Sequence, residues 1–188
     1  MNNEIVVLTG LSASGKDTLC QLLKEKYGYW FVISHTTRPM RPCESECNPY
    51  RFVSKEEFDT IPMIETRSYE TLVDNVKDTW YYGVSKGEIL DNRKYVVVLD
   101  VEGTIEFIQY FGDRVIPIYI YVDSEIRKQR SINRGGHNNS EWDRREVDDL
   151  KTFTKENINK YYKAIVKNKN LDDSIEEIMK VVKSNGSI

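Results

Sequence analysis

Apolar residues in this chain gather into short unbroken runs, and helical spacing follows each of them. Ile5-Val6-Val7-Leu8 is one run, Tyr95-Val96-Val97-Val98-Leu99 a second, and Val115 to Val122 a third. Runs of this length without polar alternation mark parallel strands covered on both faces. After the first run, Gly10 to Gly15 makes a small-residue turn. Leu19, Leu22 and Leu23 then recur at helical spacing up to Gly28, which ends the helix. Helical stretches follow the other two runs at Glu102 to Tyr110 and Ser124 to Arg134. Trp30 to Ser34 reads as a fourth strand and Ala164-Ile165-Val166 as a fifth. A tail helix carries Ile175, Ile178, Met179 and Val182 on one face. Strands alternating with helices predict an α/β domain built on a mainly parallel sheet.

Two segments interrupt the alternation. Residues 36 to 84 hold Pro39, Pro42, Pro49 and Pro62, many tyrosines, and period-two stretches such as Tyr50-Arg51-Phe52-Val53. They predict a small mixed insertion rather than another strand–helix–strand unit. Residues 135 to 141 are polar and open on two glycines, which predicts a flexible loop between two charged helices, of the kind that moves over ligands.

Composition narrows the classes. The 188 residues are 39% hydrophobic with 10 Gly and 5 Pro, which excludes global disorder and low-complexity architectures. Lys and Arg number 27 against 30 Asp and Glu, a net charge of −3, so a nucleic acid polymer is not the expected partner. Three cysteines are too few, and odd in number, for a disulfide scaffold, which points to a reducing compartment. No apolar run approaches the roughly 20 residues of a membrane helix, and Met1-Asn2-Asn3-Glu4 has no cationic leader character. A single cytoplasmic domain without membrane contact is expected.

The turn after the first strand carries chemistry. Gly10-Leu11-Ser12-Ala13-Ser14-Gly15-Lys16 lies between a buried strand and a helix, the context of a phosphate-binding loop. Glycines let backbone N–H groups turn around phosphate oxygens, the helix N-terminus adds positive potential, and Lys16 reaches the terminal phosphates. The usual Ser or Thr after the lysine is Asp17 here, and Thr18 follows. Asp17 either contacts magnesium, directly or through water, or is a carboxylate favoured by the helix dipole; Thr18 offers the hydroxyl. Downstream, Ser34-His35-Thr36-Thr37-Arg38-Pro39-Met40-Arg41 puts two guanidiniums three positions apart, suited to bidentate phosphate recognition. Tyr50 and Tyr81-Tyr82 offer hydroxyls for the same anion.

Together these motifs resemble the guanylate kinase family. The resemblance rests on the loop Gly10 to Lys16, on Ser34-His35-Thr36-Thr37-Arg38 with Arg41 and Glu44, and on Tyr50-Arg51-Phe52-Val53-Ser54 with Glu57-Phe58. Tyr82-Gly83-Val84-Ser85, Leu99-Asp100, and Asn168 with Leu171-Asp172 follow in the same order. It implies a parallel sheet of the P-loop NTPase type flanked by helices, in three parts. These are a core (1–33, 86–125 and 146–188), a monophosphate-binding lobe (34–85) and a helical lid (126–145). It implies an ATP- and magnesium-dependent kinase that phosphorylates GMP or dGMP, as a monomer or homodimer. Gly10, Ser12, Ala13, Ser14, Gly15, Lys16, Asp17, Thr18 and Arg130 would bind ATP. Arg38, Arg41, Tyr50 and Tyr81 would hold the acceptor's phosphate; Ser34, Glu65, Ser85 and Glu102 would surround its base. Asp17, Thr18 and Asp100 would form the magnesium shell. Lys16, Arg41, Arg134 and Arg145 would neutralise the transferring phosphoryl group, the last two eleven positions apart across the lid.

Several positions depart from the family pattern. Cys43-Glu44-Ser45-Glu46-Cys47 replaces the usual glycines, and no second cysteine pair completes a metal site. The acidic strand end reads Asp100-Val101-Glu102 with a shortened run to Gly103, and Glu70 competes with Glu65 as base reader. Two alternatives stay open: a kinase of another nucleoside monophosphate, and a non-catalytic interaction module, which a decayed phosphate loop would mark. Arg127 and Arg144 read as solvated helix charges.

Overall fold

The computed structural model describes residues 4–40, 50–73, 76–90, 92–133 and 139–185. β1 (Ile5–Thr9) leads into α1 (Lys16–Tyr27), then β2 (Trp30–Phe31), β3 (Ser34–Thr36), β4 (Tyr50–Phe52) and α2 (Lys55–Thr60). β5 (Met63–Val73) and β6 (Val76–Ser85) follow, then β7 (Tyr95–Val98), α3 (Val101–Phe111), β8 (Val115–Tyr121) and α4 (Ser124–Asn133). α5 (Asn139–Thr152), α6 (Lys155–Tyr161), β9 (Ala164–Lys167) and α7 (Leu171–Asn185) complete the chain.

Five strands form a parallel sheet in the order β2-β7-β1-β8-β9. β1 is central, and Ile5 to Thr9 are all buried because helices cover both faces. Successive side chains of a strand point to opposite faces, so one run feeds two cores. Val6 and Leu8 pack with Leu19 and Leu23 of α1 and with Ile175, Ile178 and Val182 of α7. Ile5 and Val7 pack on the other face with Val97 and Phe107. Gly28 stops α1 as expected: its φ of 71° is left-handed, and its N–H closes on the carbonyls of Leu23 and Lys24.

A second, four-stranded sheet follows the order β4-β3-β6-β5. β3 runs parallel to β4 and antiparallel to β6, and β5 and β6 make a long hairpin from Met63↔Ser85 out to Val73↔Val76. Ser54 opens α2 with a capping box closed by Glu57. The 30–34 strand divides between the two sheets. Trp30 and Phe31 pair with β7, the Val32 N–H still reaches the Val96 carbonyl at 3.0 Å, and Ser34 begins the second sheet. The 135–141 loop is shorter than expected at its end, because Asn139 already begins α5; residues 134–138 lie outside the described residues.

Candidate active site

The loop after β1 is shaped by close approach. A Cβ on Gly10 would come 2.4 Å from the Ile120 carbonyl oxygen. One on Gly15, at φ 89°, would come 2.6 Å from Asn168 Nδ2. Ala13 holds φ 62°, a conformation uncommon outside glycine and concentrated at ligand sites. Lys16 Nζ donates to the Gly10 carbonyl at 2.7 Å and the Leu11 carbonyl at 3.1 Å, so the ammonium lies across the loop mouth. Behind the loop, buried Asn168 donates from Nδ2 to the Ser14 carbonyl at 2.8 Å and accepts from Ser174 Oγ at 3.1 Å. Arg130 Nη2 donates to the Asn168 carbonyl at 3.1 Å, which places this residue beside the loop.

The second sheet presents a different face. Arg38 is 3% exposed, with its guanidinium carbon 5.4 Å from the Tyr50 ring centre and 5.5 Å from that of Phe52. Tyr50 meets Tyr82 edge-on at 5.8 Å, and Tyr82 meets Tyr69 at 5.6 Å. Glu65 lies on the same strand face, in register with Val84, and is 5% exposed. Gly103 makes room for its carboxylate, since a Cβ there would stand 3.3 Å from Glu65 Oε2. Burial pushes the Glu65 carboxyl up to about 7, against the opposing pull of the Arg67 charge and the Val84 N–H. Ser34, paired with Tyr50, belongs to the same sheet. Glu70 is exposed, so of the two candidate base readers only Glu65 is buried.

A family model for guanylate kinase matches residues 2–185. The chain belongs to the guanylate kinase family. It is 30% identical to the guanylate kinase of Clostridium tetani over 185 residues, 95% of this chain and 84% of the relative. It is 32% identical to that of Clostridium perfringens strain 13 over 182 residues, 93% and 80% respectively. Among solved structures it is similar to a guanylate kinase from Anaplasma phagocytophilum, with TM-score 0.64, 19% identity, and 98% and 87% coverage. A gluconokinase from Sinorhizobium meliloti shares the fold at TM-score 0.56 and 13% identity, covering 98% and 94%.

Within this guanylate kinase framework the geometry changes some assignments. Tyr81, expected beside Tyr50, has its ring against Phe58 at 5.9 Å, with Lys55 Nζ 4.3 Å from its centre. Strand alternation sends adjacent residues to opposite faces, so Tyr82 takes the place beside Tyr50. Ser85 is likewise out of phase, because Val84 is the residue opposite Glu65. Asp100 does not fit a magnesium shell. Its Oδ1 accepts from Arg67 Nε at 3.2 Å and the Gly103 N–H at 2.7 Å, its Oδ2 accepts from Tyr69 Oη at 3.2 Å, and it caps α3. Glu102 is largely exposed and lies 3.5 Å from Arg67 Nε. Asp17 and Thr18 are exposed in the first turn of α1 beside Lys16, and offer the oxygen ligands that suit magnesium.

Arg127 is the residue that sequence reasoning missed. It is 2% exposed rather than solvated and forms a two-pronged ion pair with Glu146, at 2.8 and 2.6 Å. Its Nε donates to the Val122 carbonyl at 3.1 Å and its Nη1 to the Ser12 carbonyl at 3.3 Å. From α5, Asp149 Oδ2 accepts the Ser12 N–H at 3.0 Å. The phosphate loop is therefore clamped by α4 and α5 through both polar groups of the Ser12 backbone. Trp142, buried and 5.6 Å from the Arg127 guanidinium, was the available signal, an aromatic in a mostly polar helix. Arg41, Glu44, Cys43, Cys47 and Arg134 lie outside the described residues, and of Arg145 and Arg144 only the helical backbone is described. No helix among the described residues is long and apolar enough to cross a membrane.

Proposed function

We propose that the protein transfers the γ-phosphoryl group of ATP to GMP, giving GDP and ADP, with dGMP as a second acceptor of the same base. The observation that carries this reading is the pairing of two sites in one family-typical chain: a phosphate loop with Lys16 at its mouth, and a sheet face running from buried Arg38 to buried Glu65. A carboxylate accepts paired N–H bonds and so suits the N1–H and 2-amino edge of guanine. A guanidinium pre-stacked on two aromatic rings suits a phosphate. Magnesium would be held by Asp17 and Thr18 together with ATP oxygens and would neutralise the phosphate charge.

The residues do little covalent work in such a transfer; they position and neutralise. Loop N–H groups and Lys16 hold the donor's phosphates. Arg38 and Arg41 hold the acceptor's phosphate, with Tyr50 and Tyr82 lining the approach. Arg130, Arg134 and Arg145 supply further positive charge to the transferring phosphoryl group. The division that goes with this reading is a core (1–33, 86–125 and 146–188), a monophosphate-binding lobe (34–85) and a lid (126–145). A cytosolic setting, with ATP and GMP at hand, suits this reaction. The test is calorimetric titration with each nucleotide alone: Glu65→Gln should weaken GMP binding and spare ATP. Equal weakening of both would remove Glu65 from the acceptor site.

A further inference from the structure

Arg67 stands at the base end of the acceptor face and has no counterpart among the roles assigned above. It lies two positions from Glu65 and Tyr69 on β5 and directly opposite Tyr82, so all four share one face of the hairpin. The side chain is 13% exposed, and three carboxylates fix it. Nε meets Asp100 at 3.2 Å and Glu102 at 3.5 Å, and Nη1 meets Glu106 at 3.2 Å as well as the Thr66 carbonyl. The remaining nitrogen, Nη2, is buried and meets no acceptor among the described residues. A buried charged donor left unpaired is costly, and one whose other nitrogens are pinned cannot turn away to find a partner. What Nη2 lacks is therefore a hydrogen-bond acceptor, on the hairpin face that also carries Glu65.

We propose that Arg67 is a specificity-determining residue that donates from Nη2 to the 6-oxo oxygen of the acceptor's guanine, beside the N–H groups read by Glu65. This rests on the guanylate kinase reading. An acceptor-carrying carboxylate next to a donor-carrying guanidinium is complementary to a base edge with two N–H donors followed by a carbonyl. Adenine places an amino donor where guanine has that carbonyl, so the same guanidinium repels it. Asp100, Glu106 and Tyr69 then act as positioning residues: they hold the fork at a fixed angle, and Asp100 ties it to the start of α3.

The test compares kcat/KM for GMP and for 6-thio-GMP in the full chain with ATP and magnesium. In the analogue a poor sulfur acceptor replaces the 6-oxo oxygen while both N–H donors remain. Wild type should prefer GMP by roughly tenfold or more, the range set by loss of a charged hydrogen bond. In Arg67→Met the preference should fall towards one, chiefly through KM. Arg67→Lys keeps a cation near Asp100 and Glu106 but lacks the planar fork. It should lose the preference as well, and it provides the reading should the methionine variant not fold. A merely structural Arg67 would slow both substrates alike, so an unchanged preference in a folded variant overturns the proposal. Wild type that turns over GMP without preferring it to the thio analogue also overturns it, leaving the guanylate kinase reading intact. Wild type that turns over neither nucleotide overturns that reading and the proposal with it.

Discussion

Replacing Glu146 with leucine should destabilise the protein far more than a change at a half-buried helix position ordinarily does. The substitution leaves the Arg127 guanidinium, 2% exposed, with the Val122 and Ser12 carbonyls and the Trp142 ring but no carboxylate partner among the described residues. Breaking a buried pair by removing one partner costs about 3–5 kcal/mol, because the other charge stays uncompensated. For a chain of this size each kcal/mol moves the melting temperature by roughly 2–4 °C, so a drop of about 6–20 °C is expected by calorimetry. Arg127→Met should cost less, about 1.5–3 kcal/mol. The carboxylate it leaves keeps its bond from Ser124 Oγ at 2.9 Å and part of its hydration. The double variant should recover most of the loss, since two apolar side chains replace the pair, yet its KM for ATP should stay raised because Ser12 has lost the Arg127 contact. The pair also fixes a pH dependence. Arg127 and Ser124 hold the Glu146 carboxyl below its ordinary value of 4.5. Its stabilisation is complete above that value and fades as pH falls through the lowered one. A loss under about 1 kcal/mol in Glu146→Leu, or a double variant no more stable than that single one, would refute the clamp.

Three further outcomes follow from the site. Lys16→Ala should lower kcat by about a hundredfold or more with little change in melting temperature, checked by initial rates and calorimetry. Glu65, with its carboxyl near 7, must ionise to accept guanine's N–H groups. KM for GMP should therefore fall as pH rises through about 7, and Glu65→Gln should remove that limb and raise KM roughly ten- to a hundredfold. Gly103→Ala places a Cβ 3.2 Å from Asp100 Oδ1 and 3.3 Å from Glu65 Oε2 while gaining helix propensity. Stability should hold in that variant while KM for GMP rises severalfold and KM for ATP stays put.

The parallel sheet and its loop were legible because each signal was local. An apolar run gives a buried strand, the small-residue turn and Lys16 give a phosphate loop, and Gly28 gives a left-handed stop. Glu65 was legible as a candidate, and its burial against Gly103 is what separates it from Glu70. The choice between Tyr81 and Tyr82 was not legible. It depends on the phase of a ten-residue strand, which is set by pairing with β3 and by the bulge near Met63. Asp100 carried a signal that was open to use: an acid three residues before Gly103 at a helix start reads as an N-cap as readily as a metal ligand. Arg127 was hard to read from the sequence because its partners, Glu146 and Ser12, are distant in the chain, and only Trp142, on another helix, hinted at its burial.

The central claim is acceptor identity, and one set of initial rates tests it directly. Purified protein is given ATP with magnesium and, in turn, each common ribo- and deoxyribonucleoside monophosphate, with diphosphate product quantified by chromatography. GMP and dGMP should be converted with one ADP formed per transfer, at a kcat/KM about a hundredfold or more above those of the adenine and pyrimidine nucleotides. Faster conversion of any other base, or no conversion of GMP, would contradict the account.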